Sequence, residues 1–210
     1  MRLYTFPVAP NPTKVRLYLA EKAALGKKIE LEEVTVNLVE REQRSAEHLA
    51  RNRFGTLPVL ELDSGVRLIE SLVIIDYFER LHPEPPMFGP DPESWAQARQ
   101  LERIADLGVL LPIGRIVHTT DSPVGYPANP AVAAYYRERL RPSLAHLEAE
   151  LADGRPFLAG ECVTVADCTL AAALQFGRFR KLDFLDERPR LAGWDERYRA
   201  RETARSVLVV

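Results

Sequence analysis

The dipeptide Glu70-Ser71 places a carboxylate and a hydroxyl where an apolar helical pattern begins. The first turn of a helix has unpaired N–H groups that favour an anion, and a hydroxyl adds another donor. The neighbouring carboxylate can hold an ammonium group. The pair could therefore hold an anionic group and an ammonium group side by side, although either residue can also simply cap the helix.

A second candidate for ligand binding is Leu57-Pro58, at the start of an apolar run. Proline cannot donate a hydrogen bond to a sheet, and the residue before it is biased towards an extended backbone. Leu57 would then present free backbone N–H and C=O groups, to which an extended peptide can add as a strand. An ordinary proline on an edge strand is the alternative interpretation.

Two further motifs resemble helix starts. Asn11-Pro12 predicts a helix with Asn11 as its N-cap and proline in the first turn. The segment 164–167, Thr-Val-Ala-Asp, is a variant of the capping box, to which we assign no chemistry. Cys162 and Cys168 do not form a C-x-x-C pair, and the apolar surroundings of Cys168 favour a buried thiol.

Composition excludes several classes of protein. With 210 residues, 46% of them hydrophobic and 28% charged, the chain can bury a core. A net charge of −2 indicates no general attraction to nucleic acid or to a membrane surface. Two cysteines exclude a disulfide scaffold and a four-cysteine zinc site, and no metal-ligand spacing is present. The polar N-terminus and the lack of an 18-residue apolar run favour a cytoplasmic protein.

The elements that must position these residues follow the order β-α-β-α-β-β-α over residues 1–81. The predicted strands are 2–5, 28–36, 57–62 and 66–69, and the last helix is 71–81. Five prolines from Pro83 to Pro92 indicate a linker over 82–91, with no continuous core running through it. Residues 92–210 have helical periodicity, including a long helix over 93–119 that Pro112 should kink and a later one that Pro142 should bend or divide.

This order, with four motifs, resembles the cytosolic glutathione transferases over essentially the whole chain. The motifs are the segments 9–16 (Ala-Pro-Asn-Pro-Thr-Lys-Val-Arg), 54–60 (Phe-Gly-Thr-Leu-Pro-Val-Leu), 70–71 and 164–167. The resemblance implies a thioredoxin-like βαβ-ββα domain (1–81), a linker (82–91) and an all-α domain (92–210). It also implies a transferase of the detoxification type, usually a homodimer, with glutathione as co-substrate.

The resemblance implies roles for individual residues. Leu57, before a cis Pro58, would bind the cysteinyl part of glutathione through its backbone, and Glu70 with Ser71 would bind the γ-glutamyl end. Basic residues of the long helical region could reach the glycyl carboxylate across the cleft or a dimer interface; these are Arg99, Arg103, Arg115 and His118.

The chain departs from the family at the first helix, where many bacterial members have Ser-Pro-Asn and a related group has Thr-Pro-Asn. Ala9 stands at the position of the hydroxyl that stabilises the glutathione thiolate. Asn11 is the first replacement candidate and Thr13 the second, with Tyr4 and Thr5 on the preceding strand.

Two functions remain open from the sequence. In the first, the protein conjugates glutathione to hydrophobic electrophiles or uses it to reduce peroxides or disulfides. In the second, it is a weak or inactive relative that binds glutathione or another protein. Both share one binding site, so Leu57, Glu70 and Ser71 do not discriminate between them.

Overall fold

The computed structural model describes residues 1–210. Its single sheet has four strands in the order β2-β1-β3-β4. The strands are β1 (Arg2–Thr5), β2 (Glu32–Thr35), β3 (Val59–Glu61) and β4 (Arg67–Ile69). β1 is parallel to β2 and antiparallel to β3, which is antiparallel to β4. The sheet is the mixed sheet of a thioredoxin-like domain, as predicted.

Three helices accompany the sheet: α1 (Pro10–Ala24), α2 (Ala46–Arg51) and α3 (Ser71–Leu81). The predicted order of elements is confirmed, but the predicted N-cap of α1 is wrong. The helix begins one residue before Asn11, with Ala9 at the N-cap and prolines in the first turn. Proline is tolerated at several first-turn positions because those N–H groups lack helical partners, so sequence alone does not choose between Pro10 and Pro12.

Six α-helices form the C-terminal half: α4 (Pro92–Ala105), α5 (Leu111–Thr120), α6 (Pro130–Glu150), α7 (Val165–Phe179), α8 (Pro189–Ala200) and α9 (Glu202–Val207). The long helix predicted over 93–119 is interrupted by a π-helical turn at residues 106–110, just before Pro112. Pro112 explains this interruption, because it has no N–H to donate to the preceding turn and its ring crowds that turn. Pro142, by contrast, does not divide α6.

One hydrophobic core joins the two halves, so the expected absence of a core through 82–91 is wrong. Met87 and Phe88 are buried within this segment and belong to a 38-residue core that also contains residues of α1 and α7. The N–H of Val165 donates to the carbonyl of Met87 at 3.0 Å. The prolines stop a helix here, but the apolar pair between them fastens the segment to the start of α7. No helix is both long enough and apolar enough to cross a membrane.

Candidate functional site

A cavity of about 600 Å³ lies between the starts of α1 and α3 on one side and the helical half on the other. Its floor includes Asn11, Glu70 and Ser71, three of the predicted site residues. Its opposite wall comes from α4, the π turn, α5 and Phe176 of α7. The structure thus brings together residues 60 positions apart at the boundary of the two halves.

The start of α1 faces this cavity without a side-chain cap. Pro10 and Pro12 have no N–H, and the N–H of Thr13 donates to the carbonyl of Ala9 at 3.0 Å. The backbone N–H of Asn11 is therefore the one free donor of the first turn. The side-chain oxygen of Asn11 does not cap the helix, because Oδ1 accepts a hydrogen bond from Ser71 Oγ at 3.1 Å. Its NH₂ group has no partner in the protein and stays available as a donor.

The start of α3 is a second open helix terminus. Glu70 occupies its N-cap position with φ 71° and ψ 117°, and no side chain caps the helix. A positive φ is uncommon for a residue with a side chain and is often found at functional sites. The backbone N–H groups of residues 71–73 have no acceptor in the protein, since the first helical bond runs from Ile74 to Glu70. With the helix dipole, these donors favour a bound carboxylate.

Leu57 is not among the lining residues of this cavity. Its peptide bond to Pro58 is cis, as the resemblance implied. The N–H and C=O of Leu57 are outside the strands and have no backbone partner, so an extended peptide can pair with them. The preceding carbonyl, of Thr56, accepts a hydrogen bond from Asn52 Nδ2 at 3.0 Å and contacts a ring nitrogen of His48 at 3.2 Å. No motif in the sequence indicated this support from His48 and Asn52, because it depends on contacts of buried polar side chains.

The second candidate donor, Thr13, faces away from the cavity. It is 1% exposed, and its hydroxyl accepts a hydrogen bond from Gln175 Nε2 at 3.2 Å. The neighbouring Lys14 is fully buried, with its ammonium 3.4 Å from Glu102 Oε1 and 3.1 Å from Asp106 Oδ1. The back of α1 is therefore tied to the helical half. No pattern in the sequence indicated that Lys14 would be buried.

The basic residues of the helical wall differ in their availability. Arg99 forms a bidentate ion pair with Asp76, with distances of 2.6 and 3.1 Å. Arg103 is 2.9 Å from Asp106. Arg115 lines the same cavity and has no carboxylate within ion-pair distance.

His118 lines the cavity one helical turn beyond Arg115. Its Nδ1 is 3.1 Å from Ser122 Oγ, and its ring packs against Tyr126 and Phe176. Burial, with the nearby charge of Arg115, lowers the pKa of His118 below 6.5. The imidazole is therefore neutral at pH 7 and brings no positive charge to the cavity.

Comparison with known proteins shows the family of this chain. Residues 3–86 match the family model described as the glutathione S-transferase N-terminal domain, and residues 96–197 match the model of the C-terminal domain. Glutathione S-transferase 2 of Saccharomyces cerevisiae is 30% identical over 100% of this chain and 90% of its own length. The chain belongs to the glutathione S-transferase family.

Solved structures of this family have the same fold. The crystal structure of Gtt2 from Saccharomyces cerevisiae superposes with a TM-score of 0.87 at 30% identity, covering 99% of this chain and 100% of that one. A glutathione S-transferase from Methylobacterium radiotolerans, solved in complex with glutathione sulfonate, has a TM-score of 0.79 at 28% identity. The match covers 99% of this chain and 93% of that one.

Proposed function

We propose that this protein binds glutathione and uses its thiolate to attack small hydrophobic electrophiles, or to reduce peroxides or disulfides. The observation that carries the proposal is Asn11, which presents two free donors to a cavity that also contains Glu70 and Ser71. Family membership and the relative solved with glutathione sulfonate support the choice of ligand.

The γ-glutamyl and cysteinyl parts of glutathione have complementary groups in this site. The carboxylate of the γ-glutamyl end accepts from the free N–H groups at the start of α3, and its ammonium pairs with Glu70. The cysteinyl backbone pairs with Leu57 as an added strand. This placement directs the thiol to the start of α1, where Asn11 lies.

The energy needed to form the thiolate is within the reach of these donors. A free thiol of this kind has a pKa of about 8.5. A hydrogen bond to a charged acceptor contributes about 1.5–3 kcal/mol, and a helix N-terminus about 0.3–1 kcal/mol. Since one pKa unit corresponds to about 1.4 kcal/mol, a single donor from Asn11 lowers the thiol pKa by about one unit or more. A donor from Asn11, two residues further along the chain, then replaces the hydroxyl that is missing at Ala9.

Titration of the bound thiol tests the role of Asn11. The thiolate absorbs in the ultraviolet, so its pKa is measured directly in the complex with glutathione. Asn11→Ala should raise this pKa by about one unit, and Ala9→Ser should lower it by about one unit, because each removes or adds one charged hydrogen bond.

Thr13→Val is the matched control, because the hydroxyl it removes faces Gln175 and not the cavity. It should leave the thiol pKa unchanged even if the protein becomes less stable. Identical titrations in the wild type, Asn11→Ala and Ala9→Ser would contradict the proposal, and a shift confined to Thr13→Val would transfer the role to Thr13.

The alternative function is a relative that binds glutathione without turnover, and the alanine at position 9 is the observation that favours it. Titration calorimetry with glutathione, combined with assays on an aryl halide and a disulfide, separates the two. Binding with no turnover of either substrate supports the alternative.

We also propose a homodimer, the assembly that the resemblance to the glutathione transferases implies. Val73 and Leu81 lie two helical turns apart on α3 and are 47% and 46% exposed, and Trp95 on α4 is 48% exposed. Exposed apolar side chains such as these are available for burial against a second copy of the chain. Light scattering at micromolar concentration should give the mass of two chains, and the mass of one chain would refute the proposal.

A further inference from the structure

The arginine side chains of the cavity are paired with carboxylates, with one exception. Arg99 is neutralised by Asp76, and Arg103 by Asp106. Arg115 lines the cavity from α5 with no acidic partner, and its side chain is exposed. A guanidinium is always charged and presents several donors in a plane that matches a carboxylate. The wall of the cavity therefore contains an uncompensated cation.

The remaining carboxylates of the cavity are not available to Arg115. Asp106 is shared between Arg103 and the buried Lys14. Glu70 has no partner within the protein and, in the proposed function, holds the ammonium of glutathione. His118 is neutral at pH 7, so it neither competes for an anion nor contributes a second positive charge. Arg115 thus remains the free cation when glutathione is bound.

The surroundings of Arg115 are apolar. Leu107, Leu110, Leu111 and Phe176 line the same part of the cavity, and Leu107 and Leu111 are 56% and 39% exposed. Exposed leucines within a concave site favour an apolar ligand. A ligand that fills this region would contact both the leucine side chains and the guanidinium.

Arg115 is also badly placed for the glycyl carboxylate of glutathione. An extended tripeptide with its γ-glutamyl end at residues 70–71 passes Leu57 before it reaches its glycyl end. Leu57 is outside the lining of the cavity, so we expect the glycyl end to extend away from α5. This argues against the glycyl carboxylate as the partner of the free arginine.

We infer that the second substrate of this protein is an aromatic or alkyl electrophile that carries a carboxylate or a comparable anionic group, bound by Arg115. The inference rests on the proposed function and specifies its substrate class. In the conjugation, the glutathione sulfur forms a bond to the electrophilic carbon while the bond from that carbon to a halide breaks. The thiol proton passes to the buffer, and the halide leaves with the electron pair.

The test compares two electrophiles that react in the same way, chlorodinitrobenzene and chlorodinitrobenzoate, which differ by a carboxylate. Arg115→Gln removes the charge, Arg115→Lys keeps it, and Arg205→Gln is the matched control. Arg205 is an exposed arginine on α9 and does not line the cavity. KM is measured for each electrophile and for glutathione with all four proteins.

In Arg115→Gln, KM for the benzoate should rise about tenfold, which corresponds to 1.4 kcal/mol. KM for the neutral electrophile and for glutathione should stay within about twofold in that variant, a margin of roughly 0.4 kcal/mol. Arg115→Lys should recover part of the loss, and added salt should weaken the wild-type preference for the benzoate. Arg205→Gln should behave as the wild type.

Three results would overturn the inference: an equal change for both electrophiles, no change for either, or a rise confined to KM for glutathione. If the wild type turns over neither electrophile, the reaction proposed above fails. Calorimetry with the two preformed glutathione conjugates then decides the inference independently. The inference is upheld if Arg115→Gln raises Kd for the carboxylated conjugate and not for the neutral one, and it is refuted if Kd for the carboxylated conjugate is equal in all four proteins.

Discussion

The starts of α1 and α7 carry similar sequence signals and have opposite uses. At α7 the Thr164 side chain accepts from the backbone of Asp167, and the carboxylate of Asp167 accepts from the backbone N–H and hydroxyl of Thr164. The same carboxylate also accepts from the N–H of Leu158 and from Trp194 Nε1. At α1 no side chain caps the helix, and the donors of Asn11 are open to the cavity. The carboxylate at the start of α7 is hydrogen-bonded within the protein, while the donors at the start of α1 remain free to bind a ligand.

This difference shows how to recognise a functional helix terminus. Both segments have a small polar residue near an apolar helix, so residue type does not separate them. Accessibility and free donors do separate them: Asp167 is completely buried with four donors around it, while Asn11 lies half-buried with two donors unused. An intact capping box therefore argues for a structural role.

The largest effect is expected for Asp167→Ala at neutral pH. The change leaves the N–H groups of Leu158, Thr164 and Trp194 buried without an acceptor, and each costs about 1–3 kcal/mol. We expect a loss of about 4–5 kcal/mol in the free energy of unfolding, measured by urea denaturation. Thr164→Ser keeps the hydroxyl and should cost under about 1 kcal/mol. A loss below about 1 kcal/mol for Asp167→Ala would contradict a structural role for the box.

The same carboxyl predicts a pH dependence of stability. Burial raises the pKa of Asp167 from 3.8 to about 6, against the effect of its four donors. The folded state therefore holds this proton at pH values where the unfolded state has released it. The stabilisation is complete below pH 4 and is lost as the pH rises through about 6, a change of about 3 kcal/mol.

Asp167→Asn has no titrating group at this position and is the reference for that measurement. The difference in unfolding free energy between the wild type and Asp167→Asn should shrink between pH 4 and pH 7. A difference that is constant over this range, or that grows with pH, would show that Asp167 is ionised throughout.

On the back of α1, Lys14→Met should cost about 3 kcal/mol, because it leaves Glu102 buried without its ammonium partner. We expect the low end of such losses, since burial already raises the pKa of Glu102 and the carboxyl can take up a proton. The double variant Lys14→Met with Glu102→Leu should recover most of the loss in urea denaturation. No recovery would mean that Lys14 acts through contacts other than Glu102.

The smallest effect on stability is expected for a variant that gives α1 the side-chain cap that α7 already has. Ala9→Asp should stabilise the fold by about 0.5–1 kcal/mol, because its carboxylate accepts from the first turn. It should also weaken glutathione binding in calorimetry, since its charge repels the thiolate. Ala9→Asn offers a cap without the charge and separates the two effects. A variant that is stabilised and still binds glutathione as the wild type does would show that the thiol lies elsewhere.

Local sequence determined a large part of this fold. The predicted strand at 2–5 and helix at 71–81 agree with the structure at both ends, and the capping box at 164–167 is confirmed. These elements depend on hydrophobic periodicity and on contacts within one helical turn, which neighbouring residues decide. Strands 28–36 and 57–62 were predicted too long, because strand ends depend on which neighbouring backbone groups pair across the sheet.

The sequence by itself determined the order of elements, the family and the absence of a hydroxyl at Ala9. Only the tertiary structure decided what the polar residues of α1 do. Asn11 bonds to Ser71, Thr13 to Gln175 and Lys14 to Glu102, which are 60, 162 and 88 positions away. Whether a polar side chain caps its own helix, holds two domains together or faces a ligand depends on which distant groups surround it. Those neighbours are set by packing of the two halves around one core, which no local pattern encodes.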